Sequence, residues 1–160
     1  MDVDFLMGRY DAELKRKDQI TAAVSFPVTI LTLLGSVVVS MAKGLSLETP
    51  PVTTGYFMAV AAWVGFTAAS LWFLSRAYHG STYEFLPRLT ELEEFRQDGT
   101  ISPDFDELFR RSIIDATDTN AVTNDVRQAY LDRGNVFLLV AVVMGAMCGG
   151  FYVADQILKR

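Results

Sequence analysis

The sequence predicts an all-α integral membrane protein: three transmembrane helices with a cytoplasmic helical segment. Two observations carry this. Three long stretches contain no ionised side chain, and each is long enough to cross about 30 Å of hydrocarbon, which takes about 20 apolar residues. With 51% hydrophobic residues among 160, those stretches leave little apolar material for a separate water-soluble core. Aromatic residues at their ends add a third sign, because amphipathic rings favour the headgroup level.

The elements follow in chain order. Residues 1–19 are a cytoplasmic amphipathic helix, with Leu6, Tyr10 and Leu14 at four-residue spacing and charges elsewhere. The acidic start and the long apolar run after it do not fit a cleaved signal peptide. Residues 20–75 form a transmembrane hairpin. Its first run, Ile20 to Ala42, has 23 residues, and its second, Gly55 to Ser75, has 21. Pro27 removes a backbone donor in the first run and predicts a kink. Pro50 and Pro51 stiffen the link and stop helix continuation. Tyr56 opens the second run and Trp72 closes it, whereas mid-span Trp63 needs a packing role.

Residues 76–133 are the cytoplasmic helical segment. Phe85, Leu89, Leu92 and Phe95 or Arg96 predict a helix over Tyr83–Gln97, followed by a turn at Asp98-Gly99-Thr100. Ser102 as N-cap and Pro103 in the first turn then start a long helix with Phe105, Leu108, Phe109, Ser112, Ala116 and Thr123 at roughly helical period. Nothing breaks it strongly before Gly134. Residues 134–160 are the third span, with its uncharged run over Val136–Ala154, and a short tail.

Orientation follows from Lys and Arg. Arg9, Lys15, Arg16 and Lys17 precede the first span, and Arg76, Arg127 and Arg133 flank the long loop, whereas the short link holds only Lys43. The N-terminus and the long loop are therefore expected in the cytoplasm. Three spans then put Lys159 and Arg160 outside, against the rule.

Ser25, Thr29, Thr32, Ser36 and Ser40, together with Thr21, fall on one face of the first span. Such hydroxyls face a water-filled lumen between subunits, bond back to their own helix, or bond to a neighbouring helix in packing. Ala61, Gly65 and Ala69 in the second span, and Gly145 and Gly149 in the third, let backbones approach, within or between subunits. Asn120, Asn124, Arg127 and Leu131 share a face of an unusually polar helix, read either as a gating or ligand site or as a solvated surface. Arg110-Arg111 is the one adjacent basic pair of the loop, suited to a phosphate or to surface ion pairs.

Enzymatic chemistry is not expected. One His (His79) and one Cys (Cys148) exclude most hydrolytic and metal sets, and there is no phosphate loop. No cofactor or metal is expected. A net charge of −5 argues against general nucleic-acid binding.

The stretch Thr117-Asp118-Thr119-Asn120, with Asn124-Asp125, Arg127 and Leu131, leading into a final span, resembles the SLATT-type small membrane effectors of bacterial anti-phage defence, including the membrane effector of Hailong-type systems. The likeness covers roughly Tyr83 to the C-terminus; the family pattern has two spans, this chain three. It implies an oligomeric pore-forming effector in the bacterial inner membrane. It also implies gating through the cytoplasmic helices by a partner nucleotidyltransferase or its nucleotide or oligonucleotide product. The alternative is a non-conducting membrane adaptor that recruits a soluble partner.

Overall fold

A computed structural model describes residues 3–45, 50–79, 82–86 and 105–159. Four helices make up nearly all of them: α1 (Val3–Ala23), α2 (Ser25–Gly44), α3 (Pro50–His79) and α4 (Phe105–Leu158). Three helical stretches are long and apolar enough to cross a membrane: α1 and α2 taken together, α3 and α4.

Helix α4 is the spine. Its 54 residues extend about 80 Å at 1.5 Å per residue. α1 packs on its polar first half, through Leu6 and Tyr10 against Ile113 and Ala116. α2 and α3 pack on its apolar second half. α1 and α2 run parallel to α4, with Glu13 beside Asn124 and Gly44 beside Gln156. α3 runs antiparallel, with Ala77 at Arg127 and Gly55 at Phe151. All the polar helix therefore gathers at one end of the bundle.

The buried positions of α4 repeat every seven residues. Ile113, Asn120, Arg127, Gly134, Ala141, Cys148 and Asp155 form one row, and Asn124, Leu131, Leu138 and Gly145 fill the alternate row. On α1 and α2 the rows run through Tyr10, Val24, Leu31 and Val38, and on α3 through Tyr56, Trp63, Ser70 and Ala77. A 3.5-residue repeat keeps a seam facing its partner when helices cross at about 20°. The core is thus a continuous seam passing from the polar half into the apolar half.

Several details bear on the sequence reading, some agreeing with it and some correcting it. α1 and α2 meet at Val24, which itself keeps helical angles (φ −69°, ψ −29°), so the amphipathic helix and first span form one nearly unbroken rod. The irregularity lies beside Pro27: with no N–H, it cannot bond the Ala23 carbonyl, and the next bond, Val28 N–H to Val24 O, is long at 3.4 Å. Pro50 and Pro51 do not lie in the link but open α3, where the first turn needs no N–H donors. α3 also outlasts the expected hairpin boundary at 75, ending at His79.

Residues 82–86 are not helical, against the helix expected from Tyr83. Their backbone is bonded to α1 and α4, and Leu86 precedes Pro87, which disfavours helical angles. The rest of that expected helix, the turn at 98–100 and the Ser102–Pro103 start lie outside the described residues. The face expected on the long helix holds only in part: Ala116 is buried, but Leu108 and Ser112 are exposed and Ile113 is buried instead. Tyr56 does not face outward: it is 1% exposed and donates its hydroxyl to Val38 O at 2.9 Å. Trp63 does have a packing role, over Gly35 of α2 and Gly145 of α4.

Candidate functional site

Where α1 ends, α3 terminates and α4 passes from polar to apolar, a buried polar network ties the three together. Arg127 is its centre and is 2% exposed. Its Nε donates to Ala77 O at 2.6 Å, its Nη1 to the Tyr83 hydroxyl at 2.6 Å, and its Nη2 to Thr21 Oγ1 at 2.9 Å and Tyr78 O at 3.3 Å. Ala77 and Tyr78 lie in the last turn of α3, whose carbonyls have no donor within their own helix. That end carries partial negative charge, so it is a favourable place for a cation. The planar guanidinium can serve acceptors in several directions at once, as an ammonium cannot.

One turn back, Asn124 accepts from the Tyr83 hydroxyl and donates Nδ2 to Glu13 O at 2.8 Å and Glu13 Oε2 at 2.9 Å. Asn120 clasps the backbone of Glu84: its Oδ1 accepts from Glu84 N–H at 3.0 Å and its Nδ2 donates to Glu84 O at 2.9 Å. Tyr10 completes the clasp by accepting from Leu86 N–H at 3.2 Å. Both Asn side chains are fully buried, so these bonds offset what would otherwise be a large desolvation cost. On the rim, Arg16 pairs with Asp125 at 2.7 Å.

Asn120, Asn124 and Arg127 thus stand together, on the seam and bonded within one chain. Arg110 and Arg111 do not join them. They are exposed, at least nine residues earlier on α4, about 14 Å at helical rise, and among the described residues Arg111 pairs with Glu107, itself exposed, at 3.8 Å.

The hydroxyl stripe lies elsewhere. Ser25, Thr29, Thr32, Ser36 and Ser40 are all exposed, on the side of α2 largely opposite buried Leu31 and Val38. Four of these hydroxyls bond back to their own helix: Ser25 to Ala22 O, Thr29 to Ser25 O, Thr32 to Val28 O and Ser36 to Leu33 O, at 2.7–3.0 Å. Their donors are satisfied, and their lone pairs remain available to whatever faces α2. Thr21 departs from the stripe: it is partly buried and bonds Arg127.

The small residues divide in the same way. Gly145 and Gly149 face the chain's own α2 and α3, where a Cβ would meet Leu34, Trp63 or Met41 at 3.6–3.8 Å. Gly65 and Ala61 face outward, with nothing within 4 Å of a Cβ on Gly65, and Ala69 is partly covered.

Sequence reasoning misses three contributors. At Gly134 a Cβ would sit 2.9 Å from Leu74 Cδ2, and Gly134 O accepts from buried Ser70 at 2.8 Å; this is a very close approach of α3 and α4. Tyr83 reads in sequence only as the start of a helix. Asp155 is fully buried at the far end of α4 and pairs with Lys159 at 3.0 Å, while Lys159 and Gln156 donate to Gly44 O and cap α2. An Asp directly after an apolar span, four residues before a Lys, is the signal for that pair.

No family model, curated protein or solved structure matches the chain.

Proposed function

We propose that the chain is the subunit of a homo-oligomeric, pore-forming effector of the bacterial inner membrane, with α2 lining the lumen. The observation that carries this reading is the placement of the stripe. Thr32, Ser36 and Ser40 face away from the rest of the chain in the apolar half, and Ser25 and Thr29 continue the exposed row toward the end of α3. The interior of a single subunit leaves no lumen among the described residues, because its seam is filled by Leu31, Trp63, Leu138 and their neighbours. Any aqueous path must then lie between subunits, and α2 offers the hydroxyl-bearing face for it.

The polar half would receive the signal. α4 runs unbroken from that half into the apolar half, so a displacement at one end is carried to the other. The Arg127 network joins α4 to Thr21, just before the Val24–Pro27 irregularity at which α2 can pivot. In the anti-phage role implied by the SLATT resemblance, a nucleotide-type signal or its partner nucleotidyltransferase would act on this half. N-terminus and loop would face the cytoplasm.

The test is ion flux from vesicles holding the purified chain. Thr32→Leu and Ser36→Leu should reduce flux while leaving oligomer size unchanged; unchanged flux in correctly assembled variants would sink the lining role. A second reading, a non-conducting adaptor, is favoured by Phe5, Leu108, Val122 and Val126, which are apolar and exposed on the polar half. Induced expression separates the two, since a pore depolarises cells and an adaptor does not.

A further inference from the structure

Beside the Arg127 network the bundle has an open cleft of about 530 Å³ between the α1–α2 junction and the end of α3. Its walls are Val24, Val28, Leu71 and Leu74, with Ser25 and Thr29 at the rim. Through Thr21, Tyr78 and His79 it adjoins a second recess of about 370 Å³, lined further by Lys17, Tyr83, Phe85 and Arg127. One end is therefore apolar and the other polar and cationic.

The charges are the decisive feature. All four acceptors of Arg127 are neutral: two carbonyls and two hydroxyls. The nearest carboxylate in the network, Glu13, is bonded by Asn124 instead. Lys17 has no carboxylate partner among the described residues; its Nζ lies over the rings of Tyr83 and Phe85, at 4.7 and 5.3 Å from the centroids. Among the described residues, no Asp or Glu lines either cavity. Two cations without a direct counterion thus share one recess, Arg127 buried and Lys17 partly so, and such a pair favours an anion.

We propose that this double cavity binds one anionic phospholipid, its phosphate at Lys17 and Arg127 and an acyl chain along Val24, Val28 and Leu71. A free phosphate would satisfy the recess but not the apolar cleft that continues from it. A zwitterionic lipid would fill the cleft but bring its own cation to the recess. Basic pockets between spans at the membrane edge have the chemistry to hold anionic headgroups. The lipid would stand against the Val24–Pro27 pivot and so bias the position of α2. This proposal rests on the membrane-spanning reading and not on conductance.

The experiment is native mass spectrometry of the full chain released from detergent, after titration with phosphatidylglycerol, phosphatidylcholine or glycerol 3-phosphate. The wild type should retain phosphatidylglycerol over phosphatidylcholine, and Lys17→Gln should lower that retention about five-fold, the effect expected for one lost charge near a membrane surface. Lys17→Arg should keep it. Val28→Trp, or Leu71→Trp if the first does not fold, fills the apolar cleft with both charges intact and should also lower retention. Equal retention of the two lipids, or insensitivity to both the charge and the cleft variants, overturns the proposal. Displacement of phosphatidylglycerol by equimolar glycerol 3-phosphate overturns the lipid assignment in favour of a soluble phosphate. A chain that stays monodisperse without detergent removes the membrane reading itself, a failure distinct from these.

Discussion

Replacing Arg127 by Met keeps most of the side-chain volume and removes a cation that bonds α4 to both α1 and α3. Four hydrogen bonds go with it, to Ala77 O, Tyr83 Oη, Thr21 Oγ1 and Tyr78 O. A hydrogen bond to a charged group contributes about 1.5–3 kcal/mol net. Four such bonds would give an upper limit near 6–12 kcal/mol if they were additive. They are not, because the wild type already bears the cost of burying a guanidinium, and the Met variant is relieved of it. What remains is the cost of leaving the α3 carbonyls and the Tyr83 hydroxyl without a donor, about 1–3 kcal/mol for each buried acceptor and about 3–5 kcal/mol for the three once partial rehydration is allowed. That is about two to four decades in the unfolding equilibrium. The assay is SDS-driven unfolding of the detergent-solubilised protein, followed by helical circular dichroism. Arg111→Met is the control: its partner Glu107 is 3.8 Å away and both are exposed, so its cost should stay below about 0.5 kcal/mol. If Arg127→Met unfolds within about 0.5 kcal/mol of the wild type, the network is not a structural junction and the coupling assigned to it has no basis.

Gly134→Ala should cost about 1–3 kcal/mol by overpacking, since the new methyl would sit 2.9 Å from Leu74 Cδ2. Leu74→Ala in the same chain should recover part of that loss, and an unchanged unfolding midpoint for Gly134→Ala alone would contradict the close approach. Asp155→Asn should loosen the far end of the bundle, because Lys159 loses its charged partner and caps Gly44 less firmly; exchange of the α2 C-terminal amides, read by hydrogen exchange, should rise there and not near Arg127. Cys148 is fully buried on the seam, so a membrane-permeant maleimide should label the native chain slowly and the SDS-unfolded chain fast, and intersubunit disulfides through it should not form without helix separation. Rapid labelling of the native protein would place Cys148 off the seam.

The three long apolar helices are legible in the sequence because an uncharged run of about 20 residues is stable in few surroundings besides lipid. The triplet Asn120, Asn124 and Arg127 is legible as a face, since spacings of four and three residues put the side chains on one side of a helix. Its use is not. Periodicity tells which residues look the same way, not whether they look at solvent, a ligand or another helix. The partners here are a loop backbone at Glu84 and a helix end at Ala77, which carry no sequence signature of their own. The seam of α4 is obscured for a related reason. Hydrophobic pattern reading looks for apolar residues at seven-residue repeats, and this row holds Asn, Arg, Gly and Asp among its members.

That composition is itself informative about what the polar end of the bundle does. A seam built only to hold helices together would be filled more securely by Leu or Ile, since replacing buried polar groups by well-packed apolar ones is often neutral or stabilising. Buried Asn and Arg instead fix register, because sliding α4 by one turn would leave Asn120, Asn124 and Arg127 without any of their present partners. An apolar seam could slip by a turn at small cost; this one has a single low-energy register at the junction and so resists graded sliding. A signal acting on the polar half would therefore move α4 either not at all or far enough to break the Arg127 contacts with Thr21 and the end of α3 together. All-or-none release at the junction, rather than gradual bending of the 54-residue helix, is the motion this arrangement favours.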